Sequence, residues 1–336
     1  MPRDAHFRIP IPPRVNPALD RSRDLSWVRT HSLVRTPEGE RRYLASRVAD
    51  LAAYFYPDAT GDDLGLGFDV MAWFFLFDDQ FDVPAGVYPG AAVTATGQLA
   101  DVLARPPGAA GPPSAPPLVT AFADLWHRMG RGMSPAWRRR AAHAWADYLA
   151  GHPTEVTDRF HGPTPEPDDH IRLRRKTIGV RPSLDLAERI GHFETPERAW
   201  PATHLEAMRL AVVDHAILVN EVFSLERDTA RGDANLITSL VHHRGYSLRQ
   251  SLAETVRRAD RTLERFLQLE SGLPKFCDAL DLTVTERADV HRYGDAMRSL
   301  IRGDHDWHRA AGRYTTEGPP PDLNLEDLVT PARPPR

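Results

Sequence analysis

The sequence contains very little cysteine, since Cys277 is the only one among its 336 residues. An intrachain disulfide and a zinc site built from several cysteines are therefore excluded. The stretch Leu-Pro-Lys-Phe-Cys-Asp-Ala-Leu around Cys277 predicts a small side chain packed in the core.

Other features are absent as well, and each absence argues against a class of protein. Lys and Arg number 42 against 46 Asp and Glu, so the net charge of −4 gives no indication of a nucleic-acid partner. No apolar run approaches the roughly 20 residues that span a bilayer, and the N-terminus has no apolar signal region. Gly-rich nucleotide loops and His-Glu-x-x-His zinc spacing do not occur. We therefore expect a cytoplasmic protein without a membrane or nucleic-acid partner.

Strand signals are scarce, and helical periodicity dominates after the Pro-rich residues 1–20, which we expect to be extended. We see no linker or repeat, so 1–336 is predicted to be one all-α domain. The Pro-rich tail 315–336 is incompatible with regular helix. Disorder of this tail when no ligand is bound is an interpretation that the sequence leaves open. Predicted helices cover about 40–56, 63–82, 88–104, 117–130, 134–151, 169–189, 198–228, 234–243, 248–271 and 284–312.

The first informative motif is an acidic cluster at the end of a predicted buried helix. The apolar run 71–77 is followed by Asp78, Asp79 and Asp82, and Pro84 ends the helix near Asp82. Carboxylates at this negative end of the helix dipole are unfavourable by roughly 0.3–1 kcal/mol each. A bound divalent cation would offset that cost. The alternative is a solvated helix end paired with arginines.

The second motif lies in the predicted helix 198–228. Asn220, Ser224 and Asp228 are spaced i, i+4 and i+8, so their side chains share one face. Together they offer an all-oxygen ligand set suited to Mg²⁺. The alternative is a polar helix face on which the Ser224 hydroxyl bonds back to the backbone.

In order, spacing and context, the two motifs resemble the aspartate-rich and Asn-Ser-Glu metal motifs of class I terpene synthases. The bacterial branch with pentalenene synthase-type sesquiterpene cyclases is the most similar. The segment 173–179 resembles the diphosphate-sensing segment of that family, and its Arg174 precedes Asn220 by 46 positions. The segments 232–237 and 307–314 also match, so the resemblance covers roughly residues 5–315.

The resemblance implies an α-helical bundle around a central apolar cavity that binds a prenyl diphosphate with three Mg²⁺ ions. Asp78 and Asp82 would hold two ions, and Asn220, Ser224 and Asp228 the third. Asp79 would pair with an arginine instead of a metal. The remaining implied roles are diphosphate contacts for Arg174, Arg227, Arg313 and Tyr314, and a main-chain carbonyl at Ile178 that triggers ionisation.

An aromatic wall would protect the carbocation that ionisation creates, since aromatic faces attract cations by roughly 0.5–2 kcal/mol each. For each aromatic residue the alternative is ordinary core packing. The candidates for this wall are Trp73, Phe74, Phe77, Phe81 and Trp307.

The sequence departs from the family pattern at three positions of the second motif. Asp228 stands where Glu is usual, Arg227 where Lys often occurs, and Glu221 where Asp is common. Since Asp is one methylene shorter than Glu, the change at Asp228 bears on metal affinity more than on the class of reaction.

The leading interpretation is a cyclase that converts farnesyl diphosphate to a cyclic sesquiterpene and diphosphate. Alternatives are a monoterpene or diterpene synthase on the same site, and a chain-elongating prenyltransferase, which would need a second aspartate-rich motif. A catalytically degenerate helical scaffold is the alternative that is not an enzyme. The protein would be a monomer or a homodimer.

Overall fold

The computed structural model describes residues 5–81, 89–105, 115–162, 164–315 and 327–329. A short 3₁₀ helix, Leu19–Arg23, precedes the α-helices, and no strand occurs in these ranges. The predicted all-α class is thereby confirmed. The α-helices, numbered α1 to α15 in chain order, are Ser26–Thr30, Pro37–Ser46, Leu51–Phe55, Gly61–Phe81, Pro89–Ala104, Pro117–Met129, Pro135–His161, Pro167–Thr177, Val180–Gly191, Thr203–Arg231, Leu236–Arg244, Leu248–Ser271, Leu273–Ala279, Val284–Ala310 and Gly312–Thr315.

Helices α4, α7, α10 and α14 contribute to the wall of a central cavity. Helix α4 packs on α3, α6 and α9, while α10 packs on α8, α12 and α14. Local chemistry fixes the starts of several helices, as when the hydroxyl of Ser134 accepts from the backbone N–H of Trp137 and Pro135 occupies the first position of α7. Cys277 is fully buried, as predicted.

Three predicted helices differ most from the structure, and the one predicted over 198–228 is α10, which begins five residues later at Thr203. The single helix expected over 169–189 is broken between α8 and α9, and the one over 40–56 is broken after α2 by Arg47, whose φ is +56°. Helix α7 continues past residue 151 to His161, because it tolerates Pro153 in its interior. A proline there removes only one i to i−4 hydrogen bond when neighbouring helices support the chain.

Two described segments outside the long helices, 5–18 and 327–329, pack onto the helical bundle. Residues 5–18 contain no helix, and buried Phe7 and Ile11 anchor this segment. Near the other end, Leu328 is buried, its N–H donates to Gln80 Oε1, and its carbonyl accepts from the N–H of Leu118. This part of the tail is therefore ordered, whereas residues 316–326 and 330–336 lie outside the described ranges.

Over the described ranges, no helix combines the length and the apolar character that crossing a bilayer requires.

Candidate active site

A cavity of about 300 Å³ lies at the centre of the bundle and joins the two motifs that the sequence places far apart. Its mouth is polar and its interior is largely apolar. Asp78 contributes from α4, and Asn220, Ser224 and Asp228 contribute from α10. Arg174, Ile178, Arg227, Arg313 and Tyr314 also line it. Asp82 lies outside the described residues.

Asp78 and Asp79 are consecutive in the last turn of α4 but have different surroundings. The side chain of Asp78 is one-third exposed at the cavity, 3.9 Å from His152 Nδ1. The carboxylate of Asp79 is fully buried and accepts hydrogen bonds from Arg227 Nη2 at 2.8 Å and Arg313 Nη1 at 3.0 Å. Burial alone would raise the pKa of Asp79, but attraction to the two arginines outweighs it and lowers that pKa. Asp79 is thus held by arginines, while Asp78 lines the cavity and is partly exposed there.

The polar face of α10 presents the oxygen donors of the second motif. Ser224 Oγ donates to Asp228 Oδ2 at 2.6 Å, and Asn220 Oδ1 accepts from Arg174 Nη2 at 3.0 Å. Burial, followed by the nearby charge of Glu221, raises the pKa of Asp228, which favours neutralisation by a cation.

This donor set fits a hard divalent cation such as Mg²⁺ better than a soft metal. Ser224 and Asp228 supply oxygens close enough together to serve one ion, and Asn220 adds an amide oxygen on the same face. Within the ranges that the structure describes, no group of three or more His, Cys, Asp or Glu side chains has metal-binding geometry. A metal at this face would use the Asp228 carboxylate with the amide and hydroxyl oxygens of Asn220 and Ser224. Oxygens of a small molecule bound in the cavity would complete its coordination.

Arg174 is held by residues of three helices. Its guanidinium donates to Glu221 Oε1 at 3.2 Å, to Asn220 and to the hydroxyl of Thr177, and lies 3.6 Å from Glu155 Oε1. Glu221 is itself buried against His170 Nε2 at 3.0 Å. An arginine at the mouth is therefore in direct contact with a predicted metal ligand.

The break between α8 and α9 lies at the cavity wall, which Ile178 and Gly179 both line. Ile178 is the C-cap of α8, and Gly179, with φ of +73°, adopts a left-handed conformation that only glycine takes without strain. A continuous helix would bond the Ile178 carbonyl to the N–H of residue 182, but Pro182 has none. The sequence Ile-Gly-Val-Arg-Pro thus dictates both the break and an Ile178 carbonyl without its helical partner.

Arg313 and Tyr314 close one side of the mouth. Arg313 is fully buried against Asp79, and the ring of Tyr314 stacks on His308 with centroids 4.9 Å apart. The Tyr314 hydroxyl lies 3.4 Å from Asn220 Nδ2. The C-terminal pair therefore reaches residues of both motifs.

The aromatic wall was predicted only in part. Phe74 and Trp307 line the cavity, but Trp73, Phe77 and Phe81 do not. These three are spaced four residues apart, so they share the other face of α4 and pack in the core. There Trp73 stacks on Phe77 with centroids 4.7 Å apart.

Other lining residues escaped sequence reasoning. Phe75 lies on the cavity face of α4, with its ring 5.2 Å from that of Trp307, and Tyr148 and Phe55 come from other helices. The only sequence signal for Phe75 was the helical period of α4, counted from Phe74 and Asp78. Phe55 and Tyr148 carried no such signal, because their place depends on how α3 and α7 pack.

Asp304 and His308, one turn apart on α14, also face the cavity. Burial raises the pKa of Asp304 well above its usual value and lowers the pKa of His308 to about 3. His308 is therefore uncharged at neutral pH, and burial favours the protonated, neutral form of Asp304. Their i, i+4 spacing beside Trp307 was the available signal.

Comparisons with known proteins agree with this geometry. The family model "Terpene synthase family 2, C-terminal metal binding" matches residues 69–265. R-linalool synthase of Streptomyces clavuligerus is 47% identical over 325 residues, covering 96% of this chain and 97% of that protein. Pentalenene synthase of Streptomyces avermitilis is 42% identical over 322 residues, covering 94% and 95%.

A solved structure is similar over nearly the whole fold. The linalool/nerolidol synthase of Streptomyces clavuligerus in complex with 2-fluorogeranyl diphosphate has a TM-score of 0.82 and 45% identity, with 88% of this chain and 100% of that chain covered. The match to the family model includes Asp78, Arg174 and the oxygen face of α10. The chain therefore belongs to the class I terpene synthases, a family of helical lyases.

Proposed function

We propose that the protein ionises farnesyl diphosphate with the help of Mg²⁺ and cyclises the resulting carbocation to a sesquiterpene, releasing diphosphate. In the first step the allylic C–O bond breaks and its electron pair leaves with the diphosphate. The cation is later quenched by loss of a proton, or by capture of water with loss of a proton.

One observation carries this proposal. Two oxygen-donor motifs, 142 positions apart between Asp78 and Asn220, meet four diphosphate-binding candidates at the polar mouth of an apolar cavity. A charged leaving group needs the polar donors at the mouth, and a carbocation needs an interior from which water is excluded. A helical scaffold with no reaction to perform would not need carboxylates at the negative end of an aromatic-rich helix.

The residues that would hold Mg²⁺ are Asp78 on one side of the mouth and Asn220, Ser224 and Asp228 on the other. Asp82 is part of the same proposal, and three ions are expected with diphosphate bound. Mg²⁺, when bound, would stabilise the negative charge that develops on the leaving diphosphate.

The protein's own hydrogen-bond donors, three arginines and one tyrosine, would complete that stabilisation. Arg174, Arg227, Arg313 and Tyr314 would donate hydrogen bonds to the diphosphate from positions fixed by buried partners. Donors that are already oriented cost little reorganisation during the reaction, which makes their electrostatic stabilisation effective. The Ile178 carbonyl would aid ionisation by presenting a negative dipole to the developing cation.

The interior would protect the cation. Phe74, Phe75 and Trp307 offer aromatic faces, and each attraction is worth roughly 0.5–2 kcal/mol. Exclusion of water by this wall delays quenching until the ring or rings have formed.

The test is incubation of the purified protein with Mg²⁺ and, separately, geranyl, farnesyl and geranylgeranyl diphosphate, with extracts analysed by gas chromatography–mass spectrometry. We expect a cyclic C15 hydrocarbon or alcohol from farnesyl diphosphate that disappears with EDTA and in Asp78→Ala. No turnover of any of the three substrates by folded protein would contradict the proposal.

A monoterpene synthase activity is the second candidate. The S. clavuligerus relative is an R-linalool synthase by name, and the cavity of about 300 Å³ lies at the small end of the roughly 300–1,000 Å³ typical of ligand pockets. Turnover of geranyl diphosphate with a higher kcat/KM than farnesyl diphosphate would favour it.

A further inference from the structure

Asn235 connects the metal-ligand face of α10 to the start of α11. It belongs to the segment Gly-Asp-Ala-Asn-Leu-Ile that follows the second motif, and it is fully buried. It is also the N-cap residue of α11. No part of the proposed reaction yet uses this side chain.

The orientation of the Asn235 amide is fixed by its own backbone contacts. Its Oδ1 accepts from the N–H of Ile237 at 2.9 Å, which is the capping bond, so its NH₂ group must point the other way. There Nδ2 donates to the Glu221 carbonyl and to Asp228 Oδ2, both at 2.9 Å. Both hydrogens of the amide are therefore committed to α10.

Asp228 is held by one of its two oxygens. Oδ2 accepts from Ser224 Oγ and from Asn235 Nδ2, while Oδ1 has no hydrogen-bond partner among the described residues. Since Asp228 lines the cavity, this arrangement leaves one carboxylate oxygen for a ligand. A short Asp side chain has little freedom to find that orientation unless a neighbour holds it.

We propose that Asn235 is a positioning residue that orients Asp228 for metal binding. The inference rests on the proposed function, because it deepens the account of the same metal face. Outer hydrogen-bond partners of metal ligands typically contribute about 10- to 100-fold to metal affinity.

A purely structural role as a helix cap must be separated from this positioning role. Asn235→Ser keeps a capping oxygen, since Ser and Asn are comparable N-caps, but its side chain is too short to span to Asp228. Asn235→Ala loses both roles. Ser247→Ala removes the cap of α12, which lies on another helix and does not line the cavity, and serves as the matched control.

The experiment is a series of thermal melts of the full-length chain with saturating inorganic diphosphate and increasing Mg²⁺. The measured quantity is the Mg²⁺ concentration that gives half of the maximal rise in Tm. We expect Asn235→Ser and Asn235→Ala to need about 10- to 100-fold more Mg²⁺ than the wild type. Ser247→Ala should lower the metal-free Tm without changing the Mg²⁺ requirement.

A Mg²⁺ requirement of Asn235→Ser within twofold of the wild type would overturn the inference and leave Asn235 as a cap. A wild-type protein whose Tm does not respond to Mg²⁺ and diphosphate would instead contradict the proposed function. The two failures are therefore distinguishable in one data set.

Discussion

At the scale of the residue, Asp78 and Asp79 are neighbours in one helical turn, yet their carboxylates have different surroundings and different expected roles. Asp79 is buried and neutralises Arg227 and Arg313, while Asp78 is partly exposed at the cavity. We expect Asp79→Asn to lower the free energy of unfolding by about 3–5 kcal/mol, because it leaves buried arginines without their carboxylate. Asp78→Asn should change it by less than about 1 kcal/mol.

Urea unfolding in EDTA measures the free energy of unfolding of both variants, and Mg²⁺-dependent turnover measures their activity. Asp78→Asn should lose turnover while its stability is retained. Equal stability losses in the two variants would show that Asp79 is not the structural member of the pair.

A second residue predicts a dependence of stability on pH. Asp185 is buried on α9, where burial, followed by repulsion from Glu188, raises its pKa to about 8 despite Arg140 and Arg209. The folded state therefore binds this proton more tightly than the unfolded state, whose pKa is about 3.8. The stability contributed by this proton is complete below about pH 4 and is lost as pH rises through about 8.

The matched comparison uses Asp185→Asn, which stays uncharged at every pH. From pH 6 to 8, the free energy of unfolding of Asp185→Asn should rise relative to that of the wild type by up to about 1.4 kcal/mol per pH unit. This difference should level off above about pH 8. Glu206→Gln is the control, since its arginine partners Arg181 and Arg209 outweigh burial and lower the pKa of Glu206. A difference for Asp185→Asn that stays constant from pH 6 to 9 would refute the raised pKa.

At the scale of the element, the break between α8 and α9 connects backbone conformation to the proposed chemistry. Gly179 and Gly245 have similar positive φ angles of +73° and +66°, but only Gly179 lines the cavity, next to Ile178. Alanine at either position should cost about 1–2 kcal/mol of stability through left-handed strain. A Cβ at 179 would meet Phe74 at an ordinary 3.5 Å, so no clash adds to the cost.

We expect Gly179→Ala to lower kcat at least tenfold with a smaller change in KM, because the strain is relieved by moving the Ile178 carbonyl. Gly245→Ala should leave kcat within twofold of the wild type. Steady-state kinetics on the substrate that is turned over, with urea unfolding of both variants, decides the matter. A similar kcat for the two variants would remove the Ile178 carbonyl from the mechanism.

Helix positions were predictable wherever a strong periodic pattern met clear end signals. Helix α12, Leu248–Ser271, matches its predicted range because Ser247 and Gln250 form a capping box. The break at Gly179 was missed, since one Gly within an otherwise helical pattern costs only about 1 kcal/mol and does not by itself indicate a turn. The choice between the two faces of α4 also needed packing information, as Trp73 and Phe74 are equally apolar.

At the scale of the whole molecule, the sequence predicted the oxygen donors but not the shape they enclose. Asn220 and Asp228 stood out because polar residues at helical spacing are unusual beside apolar ones. The cavity, by contrast, depends on how α3, α7 and α14 meet around α4. Such contacts between distant parts of the chain have no local signature. The packing of Leu328 beside the end of α4 has no local signature either.

That tail supplies the last prediction. Leu328 is almost fully buried beside the end of α4, whereas its neighbour Val329 is only half-buried. Leu328→Ala should lower the free energy of unfolding by about 2–4 kcal/mol, since it removes buried methyl groups and leaves a cavity. Val329→Ala should cost less than about 1.5 kcal/mol. Neither change removes the backbone hydrogen bonds to Gln80 Oε1 and Leu118, so urea unfolding isolates the contribution of the side chain. If the two variants lose the same stability, Leu328 is not part of the core. The last turn of α4 then does not depend on the packing of this side chain.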